Sequence, residues 1–343
     1  ENKDFDLDLT DHMHHGIQDF TWGGGARLTD NTVDNTQNLT MEHPEQRLWL
    51  VNFFVQDEIA LSSTLKLTVG SKAEYRKTIG WEALPNLRLA WVPNSHQMFW
   101  AAASRAARAP SRGEQEALIR IASFPGTSTT LPVRVEIKGN EDFDAEFNNA
   151  VEAGWRWWPN HHFQFDLSAY DFLYQNVRSF QTTTFIDPGP PATYVYRSTL
   201  NNAASAQTRG IEASWKYRPN DGWELNGGVS RQTASTNDLA NNPLVLADYW
   251  TPDWLWHVGS WWQLPHEWEF SSTLYGVGRN AGANVPGYLR LDLQLVYRPR
   301  PDVELSFGVQ NINDPGHDEV ITGNALPHVE VHRDFYARVQ WRF

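Results

Sequence analysis

The sequence predicts an all-β protein whose strands form an antiparallel up-and-down transmembrane β-barrel. Three observations predict this fold class. Side-chain character alternates with a period of two along many segments, short connections alternate with long ones, and aromatic residues cluster beside the short connections. Together they indicate a sheet with one apolar face and one polar face, as a membrane wall requires.

The alternation is clearest in residues 288–297, where leucines alternate with Arg290, Asp292 and Gln294. The same pattern occurs in residues 303–310, 335–343, 65–69, 87–91, 151–157, 163–169, 211–217, 223–229 and 268–274. We expect roughly fifteen strands of about ten residues, the length that a tilted strand needs to cross a bilayer. Helical periodicity is confined to residues 112–121, which we expect to form a short loop helix.

The connections predicted between these strands alternate in length. Six are short, at residues 61–64, 93–95, 159–160, 219–222, 265–266 and 299–302, and five of them contain proline. The long ones are residues 29–45, 109–143, 176–204, 232–249, 280–286 and 311–331. An up-and-down barrel with tight turns at one end and long loops at the other produces this order.

Aromatic residues are frequent near the short turns. The chain has 17 Trp, 17 Phe and 11 Tyr. Those beside the short turns are Trp91, Trp155, Trp157, Trp158, Tyr217, Trp223, Trp261, Trp262, Trp268, Tyr297 and Trp341. Amphipathic rings at one end of a sheet are typical of a membrane-interface girdle. The alternative is the aromatic core of a soluble β-protein.

Composition excludes several function classes. The chain has no cysteine, which excludes disulfides, thiolate metal sites and cysteine nucleophiles. Its net charge of −13 argues against nucleic acid as a partner. No apolar run is long enough for a transmembrane helix, and the mean hydropathy is −0.54. A barrel wall satisfies both facts, since only every second residue faces lipid.

Five segments, in order, resemble motifs of TonB-dependent outer-membrane receptors. They are residues 54–58 (FVQDE), 100–111 (WAAASRAARAPS, with Glu114 close behind), 152–156 (EAGWR), 208–212 (TRGIE) and 309–314 (VQNIND). The resemblance covers almost the whole chain. It implies an outer-membrane protein of a Gram-negative bacterium, a transporter rather than an enzyme, which takes up a scarce nutrient with energy from TonB and needs no cofactor.

The resemblance also implies parts that this sequence lacks. Such receptors have a 22-stranded barrel preceded by a plug domain and a TonB-contacting segment. We therefore expect residues 1–343 to be the C-terminal part of a barrel, with about fifteen of 22 strands, no plug and no signal peptide. The sheet should be open, and pairing between residues 1–14 and the final strand would contradict this. The remaining implied partners are outer-membrane lipid, the TonB complex through the missing N-terminal region, and the barrel assembly machinery through Phe343.

Charged residues on the polar faces of strands are candidates for lining the lumen and contacting the plug. These are Glu152, Arg209, Glu212, Arg290, Asp292, Arg338 and Arg342. The alternative is that they only solvate the barrel interior.

Candidate cargo contacts lie at or near the long loops. Arg105 and Arg108 lead into the longest loop and suit an anionic cargo, since guanidinium pairs well with carboxylates. Loop aromatics suit siderophores and corrinoids, and these are Phe180, Phe185, Tyr194, Tyr196 and Trp250. The alternatives are solvated strand ends and loop self-packing.

The sequence gives little support for a metal, hydrolase or phosphate-binding site. His12, His14 and His15 lie beside a short turn, and we do not assign them a metal. The hydrolase and phosphate-binding motifs sought are absent from the sequence. Two functions stay open: a receptor that takes up a ferric siderophore, a cobalamin-like cargo or a similar metal chelate, and a plugless, porin-like passive channel.

Overall fold

The computed structural model describes residues 1–127, 130–238, 252–280, 285–320 and 329–343. This part of the chain is almost entirely β-structure with a single short helix. The elements are β1 Asn2–His15, β2 Gln18–Thr32, β3 Leu39–Met41, β4 Glu45–Ala60, β5 Leu65–Arg76, β6 Gly80–Asn94, β7 Gln97–Arg108, α1 Arg112–Glu116, β8 Ala117–Phe124, β9 Val133–Lys138, β10 Glu146–Asn160, β11 Phe163–Asp187, β12 Thr193–Asn220, β13 Trp223–Asp238, β14 Trp254–Leu264, β15 Trp268–Val277, β16 Tyr288–Arg300, β17 Val303–Gln310, β18 Gly316–Val320, β19 Val329–His332 and β20 Asp334–Trp341. Within the described ranges, no helix has the length and apolar character needed to cross a membrane.

Fifteen strands form a continuous antiparallel wall, in agreement with the number expected from the sequence. Their order is β1, β2, β4, β5, β6, β7, β10, β11, β12, β13, β14, β15, β16, β17 and β20. β9 adds in parallel to β12, and β8 and β3 follow it, which gives an 18-stranded sheet. Strands β18 and β19 pair separately.

The wall is not closed. Strand β1 pairs with β2 alone and β20 pairs with β17 alone among the strands described. The expectation of an open sheet, with no pairing between the first and last strands, is therefore confirmed. All residues of β1 are exposed, as an edge strand without a second neighbour would be.

The wall has one apolar face that is exposed rather than buried. Strand register places Leu295, Phe307 and Ala337 side by side, and Leu305 beside Val339. Phe307 is 50% exposed and Val339 73% exposed. A dry central core would have buried them, so the predicted apolar band is confirmed. Because adjacent residues point to opposite faces, the intervening residues form a polar face.

Aromatic side chains form a ladder on the apolar face near the short turns. Trp91 stacks on Phe99 with 5.3 Å between the ring centroids, and Phe99 stacks on Trp155 with 6.2 Å between theirs. The ladder continues through Trp157, Phe163, Tyr217, Trp223, Trp262 and Phe270. Trp261 belongs to the polar face instead, where its Nε1 donates to Glu269 at 3.4 Å.

Two expected loops are more regular than the sequence indicated. Strands β11 and β12 run on through residues 176–204 as one long hairpin, with irregular register only near Val177. The helix predicted over residues 112–121 ends at Glu116, because β8 begins at Ala117 and its apolar residues pair with β9. Tertiary pairing overrode the local helical pattern here.

The buried apolar residues lie mainly at the long-connection end of the wall. There β3, α1, β8, β9 and the adjoining parts of β11 and β12 form a compact unit, which we call the rim lobe. Phe143, Ala145 and Val195 are at most 1% exposed. A thin wall has no interior, so a packed core forms only where the long connections fold back onto it.

Candidate functional site

Most candidate lumen residues lie on the polar face of the wall. Strand register places there Glu152, Glu212, Arg290, Asp292 and Arg338. Glu212 accepts a hydrogen bond from Ser230 Oγ at 3.3 Å, and Arg338 donates to Gln340 at 2.8 Å. Arg342 lies just beyond β20, where its backbone amide donates to the Asp302 carbonyl at 2.8 Å.

The pair Arg290 and Asp292 organises the segment that follows β17. Two nitrogens of Arg290 donate to the two carboxylate oxygens of Asp292 at 2.8 and 2.7 Å. Asp292 also accepts the backbone N–H of buried Asn311 at 2.9 Å. Asn311 has φ 55°, a left-handed conformation that Asn tolerates better than most residues. This pair therefore holds the chain reversal at the end of β17.

Arg209 lies on the opposite face from Glu212, which corrects the expectation that both line the polar side. Three residues separate them, and side chains alternate along a strand. Arg209 is paired in register with Asp171, and its Nε donates to Asp171 Oδ2 at 3.0 Å. Its neighbour on this face is exposed Ile211. Arg209 is thus part of the apolar face, toward the long connections.

Arg108 is held at the foot of the rim lobe by two carboxylates. Its Nη1 and Nη2 donate to Glu114 at 3.0 and 2.9 Å, and its Nε donates to Glu146 at 2.6 Å. Glu114 also accepts from the Ser111 N–H at 2.9 Å and from Arg178 at 3.3 Å. Arg108 therefore positions the start of the lobe, and its predicted cargo contact stays a prediction.

The hydrogen bonds that the Glu114 carboxylate accepts determine the pKa of this group. Burial by itself would raise the pKa of this carboxyl group. The hydrogen bonds from Arg108 and Ser111 outweigh burial and lower the pKa of Glu114 to about 2. The charged carboxylate is thus the stable form over the whole physiological range.

Arg105 and Arg108 do not act together, because they are three residues apart on β7 and lie on opposite faces. The guanidinium of Arg105 lies over the ring of Phe147, 4.0 Å from its centroid. Arg105 is paired in register with Asn149, and its next neighbour on the same face is Ala103. It belongs to the apolar face of the wall.

A second ionic network holds the outer part of the rim lobe. The side chain of Glu136 is 0% exposed. It accepts from Arg134 Nε at 2.6 Å and from Arg197 at 3.0 and 2.9 Å, and Arg120 lies 3.9 Å away. Arg134 also pairs with Asp187 at 2.8 Å. A buried carboxylate needs such partners, and these join β8, β9 and β12.

The candidate aromatic contacts divide between the two faces of the β11–β12 hairpin. Register pairs and alternation place Phe180, Tyr194 and Tyr196 on one face. Tyr194 and Tyr196 meet edge to face at 5.1 Å, and Tyr196 is exposed. Phe185 lies on the other face beneath Arg197, with the guanidinium 4.8 Å from its ring centroid. Trp250 lies outside the described residues.

The histidines near the first turn make local contacts. His14 Nδ1 lies 2.6 Å from Asp19 Oδ1, and His12 Nε2 lies 3.9 Å from the same oxygen. In the part of the chain that the structure describes, no group of three or more potential ligands could hold a metal ion.

Glu114 and Glu136, the centres of these networks, were not among the residues predicted from the sequence. A pattern for Glu114 was present, because Ser111 and Glu114 have the S-x-x-E spacing of a capping box, and both reciprocal hydrogen bonds form. Glu136 had no comparable pattern. Its partners come from three strands whose pairing only the fold creates.

A known protein family matches most of this chain. The family model described as TonB dependent receptor-like, beta-barrel matches residues 2–312. Among curated protein sequences, none matches the chain.

Solved structures share the fold at low sequence identity. The siderophore receptor PirA from Acinetobacter baumannii has a TM-score of 0.79 and 12% identity, over 100% of this chain and 55% of that one. A mutant ferric enterobactin receptor, PfeA, from Pseudomonas aeruginosa in complex with enterobactin has a TM-score of 0.75 and 18% identity, over 99% and 54%. The copper transporter OprC has a TM-score of 0.66 and 14% identity, over 100% and 56%. The chain thus spans about half the length of these proteins.

Proposed function

The chain belongs to the TonB-dependent receptor β-barrel family, and on that premise we propose that it forms part of the wall of an outer-membrane receptor for a ferric siderophore or similar metal chelate. Its role is transport rather than catalysis. The observation that carries the proposal is the continuous fifteen-strand wall with an exposed apolar face.

An exposed apolar face of this extent supports a membrane location. Large side chains such as Leu7, Val151, Phe307 and Val339 are exposed along it. Each would cost about 1.5–3 kcal/mol more in water than in an apolar medium. The aromatic ladder near the short turns suits the headgroup level of one leaflet. We place the short turns in the periplasm and the rim lobe outside the cell.

The polar face would then line the interior of the barrel. We propose that the residues contacting a plug or each other there are Glu152, Glu212, Arg290, Asp292 and Arg338, a proposal supported by their register on this face. Arg209 is not part of this set, since it lies on the apolar face. The plug and the TonB contact would belong to other parts of the full-length protein.

The cargo site is proposed on the face of the β11–β12 hairpin that carries Phe180, Tyr194 and Tyr196. Aromatic faces stack on aromatic ligand groups and attract cations. A siderophore receptor and an enterobactin complex are among the proteins with this fold, which supports a chelate as cargo. Corrinoids are also flat and partly apolar, so the experiment below measures cobalamin uptake as well.

The two open edges of the wall are proposed to pair with further strands of the full-length receptor. Unpaired edges of the length of β1 and β20 are aggregation hazards, and barrels remove them by closure. A 22-stranded barrel would supply about seven more strands between them. The exposed Phe343 is the proposed contact for the barrel assembly machinery.

The proposal is tested by growth under iron limitation. A strain lacking the full-length gene is compared with wild type on a panel of ferric siderophores, each as sole iron source. We expect the deletion strain to lose growth on one or a few of them, with recovery when the gene is restored. Normal growth of the deletion strain on every siderophore tested, together with unchanged cobalamin uptake, would contradict the proposal.

A second comparison separates the receptor from a passive channel. Uptake of the radiolabelled chelate is measured with and without TonB. Uptake that requires TonB supports the receptor. Uptake that persists without TonB and rises linearly with concentration indicates a porin-like channel instead.

A further inference from the structure

The connection that follows β17 folds back onto the polar face of the wall through a buried histidine. Strand β18 contains His317, whose side chain is 8% exposed. Its ring stacks on the ring of Tyr288, the first residue of β16, with 3.9 Å between the ring centroids. Tyr288 shares a face with Arg290 and Asp292, because side chains alternate along a strand. The His317 ring therefore joins the β18–β19 pair to the polar face.

Two carboxylates flank this imidazole, one beside each ring nitrogen. Asp314 Oδ2 lies 2.9 Å from Nδ1, and Glu319 Oε1 lies 3.5 Å from Nε2. Within the described ranges, the buried Nε2 has no hydrogen-bond partner. A neutral imidazole carries a proton on only one nitrogen, so in either tautomer the other lone pair faces a negative charge. The neutral ring thus satisfies only one of its two carboxylate neighbours.

Protonation of the ring removes this conflict. An imidazolium has an N–H on both nitrogens, so it can donate to Asp314 and to Glu319 together. The Tyr288 hydroxyl already donates to the same Oε1 of Glu319 at 3.1 Å, which ties β16 to β18 through the same carboxylate. Histidine side chains change their charge between about pH 5 and 8. The contact between β18 and the wall is therefore strongest with a charged ring.

The groups that face the imidazole from β16 and from the end of β17 do not replace its charge. Arg290 interacts electrostatically with Glu319, but its two nitrogens donate to Asp292 at 2.8 and 2.7 Å. The Asn311 side chain, with Nδ2 3.3 Å from Nδ1 of His317, is uncharged. Neither group supplies a proton to the side of the ring that lacks one.

The β18–β19 pair itself is acidic. Asp318 is paired in register with Glu330, and His332 follows two residues later, so all three lie on the opposite face from His317. Beyond β19, Arg333 Nε donates to the Asn311 carbonyl at 3.4 Å. The described residues of this connection carry four carboxylates and one guanidinium, namely Asp314, Asp318, Glu319, Glu330 and Arg333. A proton on His317 also reduces the repulsion among these carboxylates.

We propose that His317 is a pH-sensitive clamp, which holds the β18–β19 pair on the polar face when its imidazole is protonated and loosens the pair when the imidazole is neutral. Loosening uncovers Tyr288 and Arg290 at the long-connection end of the wall. The pair thus covers this part of the polar face more tightly in an acidic medium than at pH 8. The clamp is independent of the identity of the cargo.

The experiment measures hydrogen exchange of the full-length receptor in lipid vesicles at pH 5.5 and pH 8. Rates are converted to protection factors, which remove the intrinsic pH dependence of exchange. The backbone amides of residues 316–318 and 330–332 report on the pair. Their protection should be about tenfold lower at pH 8, the loss expected for one charge-assisted hydrogen bond. Carboxyl groups are ordinarily charged at both pH values.

Three variants separate the clamp from other titrating groups. His317→Gln cannot take up a proton, so its protection factors should agree within about twofold at the two pH values. Glu319→Gln keeps the imidazole but removes the charge beside Nε2, and should reduce the change to less than about threefold. The matched control is His332→Gln on the neighbouring strand, because that side chain is 67% exposed. It should keep the whole tenfold change.

Amides of β16 and β17 show in each variant whether the wall is folded. Equal protection of the wild-type pair at both pH values would overturn the clamp. A full pH response in His317→Gln, or its loss in His332→Gln, would do the same. If His317→Gln fails to form the wall, Glu319→Gln decides the matter, since an unchanged tenfold response there also overturns the clamp. Transport is not measured, so failure of the proposed uptake function leaves this result unaffected.

Discussion

Arg108 donates two hydrogen bonds to the carboxylate of Glu114, from Nη1 to Oε2 at 3.0 Å and from Nη2 to Oε1 at 2.9 Å. These two hydrogen bonds join the last residue of β7 to the first turn of α1, so they fix the point where the chain leaves the wall. The rim lobe is built outward from this point. A charge-assisted, two-point contact with a buried partner is among the stronger polar interactions in proteins.

Replacing Glu114 by Gln is therefore expected to loosen the rim lobe. The neutral amide cannot accept both guanidinium donors, which costs about 2 kcal/mol in local stability. The backbone amides of Gly139 and Asn140 report it, since they donate to Ala117 and to the Glu114 backbone carbonyl. Their hydrogen exchange should become about 30-fold faster. Exposed Glu141→Gln is the control, and equal effects of the two changes would contradict this role.

The same carboxyl group predicts a pH dependence. Its pKa is lowered from 4.5 to about 2 in the folded protein, so its contribution is complete above about pH 4.5. It declines as pH falls toward 2, because the unfolded lobe takes up the proton more readily. Protease accessibility of residues 112–140, measured from pH 6 to 2.5, should rise over this window. The Glu114→Gln variant should lack that rise, and an identical profile in the variant would rule out Glu114 as its source.

A positive charge in the middle of the apolar face should impair insertion. Leu293 is paired with Ser272 and Val309, about halfway along β16. Leu293→Arg is expected to destabilise the full-length receptor in bilayers by about 2–4 kcal/mol. Gln294→Arg, one residue away on the polar face, should cost about 1 kcal/mol or less. Urea unfolding in lipid vesicles measures both, and the assignment of faces is wrong if Gln294→Arg is the more damaging.

The hairpin aromatics offer a test of the cargo site. Removing both rings of Tyr194 and Tyr196 should weaken binding of the proposed chelate cargo about tenfold, the loss expected for one or two stacking contacts. Phe185→Ala lies on the other face of the hairpin and should change affinity less than twofold. Fluorescence quenching by the ferric chelate gives the dissociation constants. A larger loss for Phe185→Ala would move the cargo to the opposite face.

Much of the wall could be predicted from local patterns. Alternation in segments such as residues 288–297 gave the two faces, and the short turns gave the strand count. The rim lobe could not be predicted in this way. Residues 176–204 were expected to be a loop, yet they extend β11 and β12, and β9 pairs with the added part of β12, where Val195 is buried. Such pairing depends on contacts far apart in sequence.

The faces and partners of the candidate site residues also depended on strand pairing. Arg209 and Glu212 were grouped by charge, although a spacing of three places them on opposite faces of a strand. Arg105 and Arg108 were grouped for the same reason and separate in the same way. Spacing alone would have separated each pair, but only strand register shows that Asp171 neutralises Arg209 while Phe147 lies beneath Arg105.

The sequence by itself determined the period-two pattern, the strand count and the family, because these depend on residues close together in the chain. Only the tertiary structure decided that Glu114 and Glu136 are centres of ionic networks and that Arg209 pairs with Asp171 on the apolar face. The physical reason is that a buried or lipid-facing charge is stable only beside its partner. Those partners lie on other strands, brought into register by the fold.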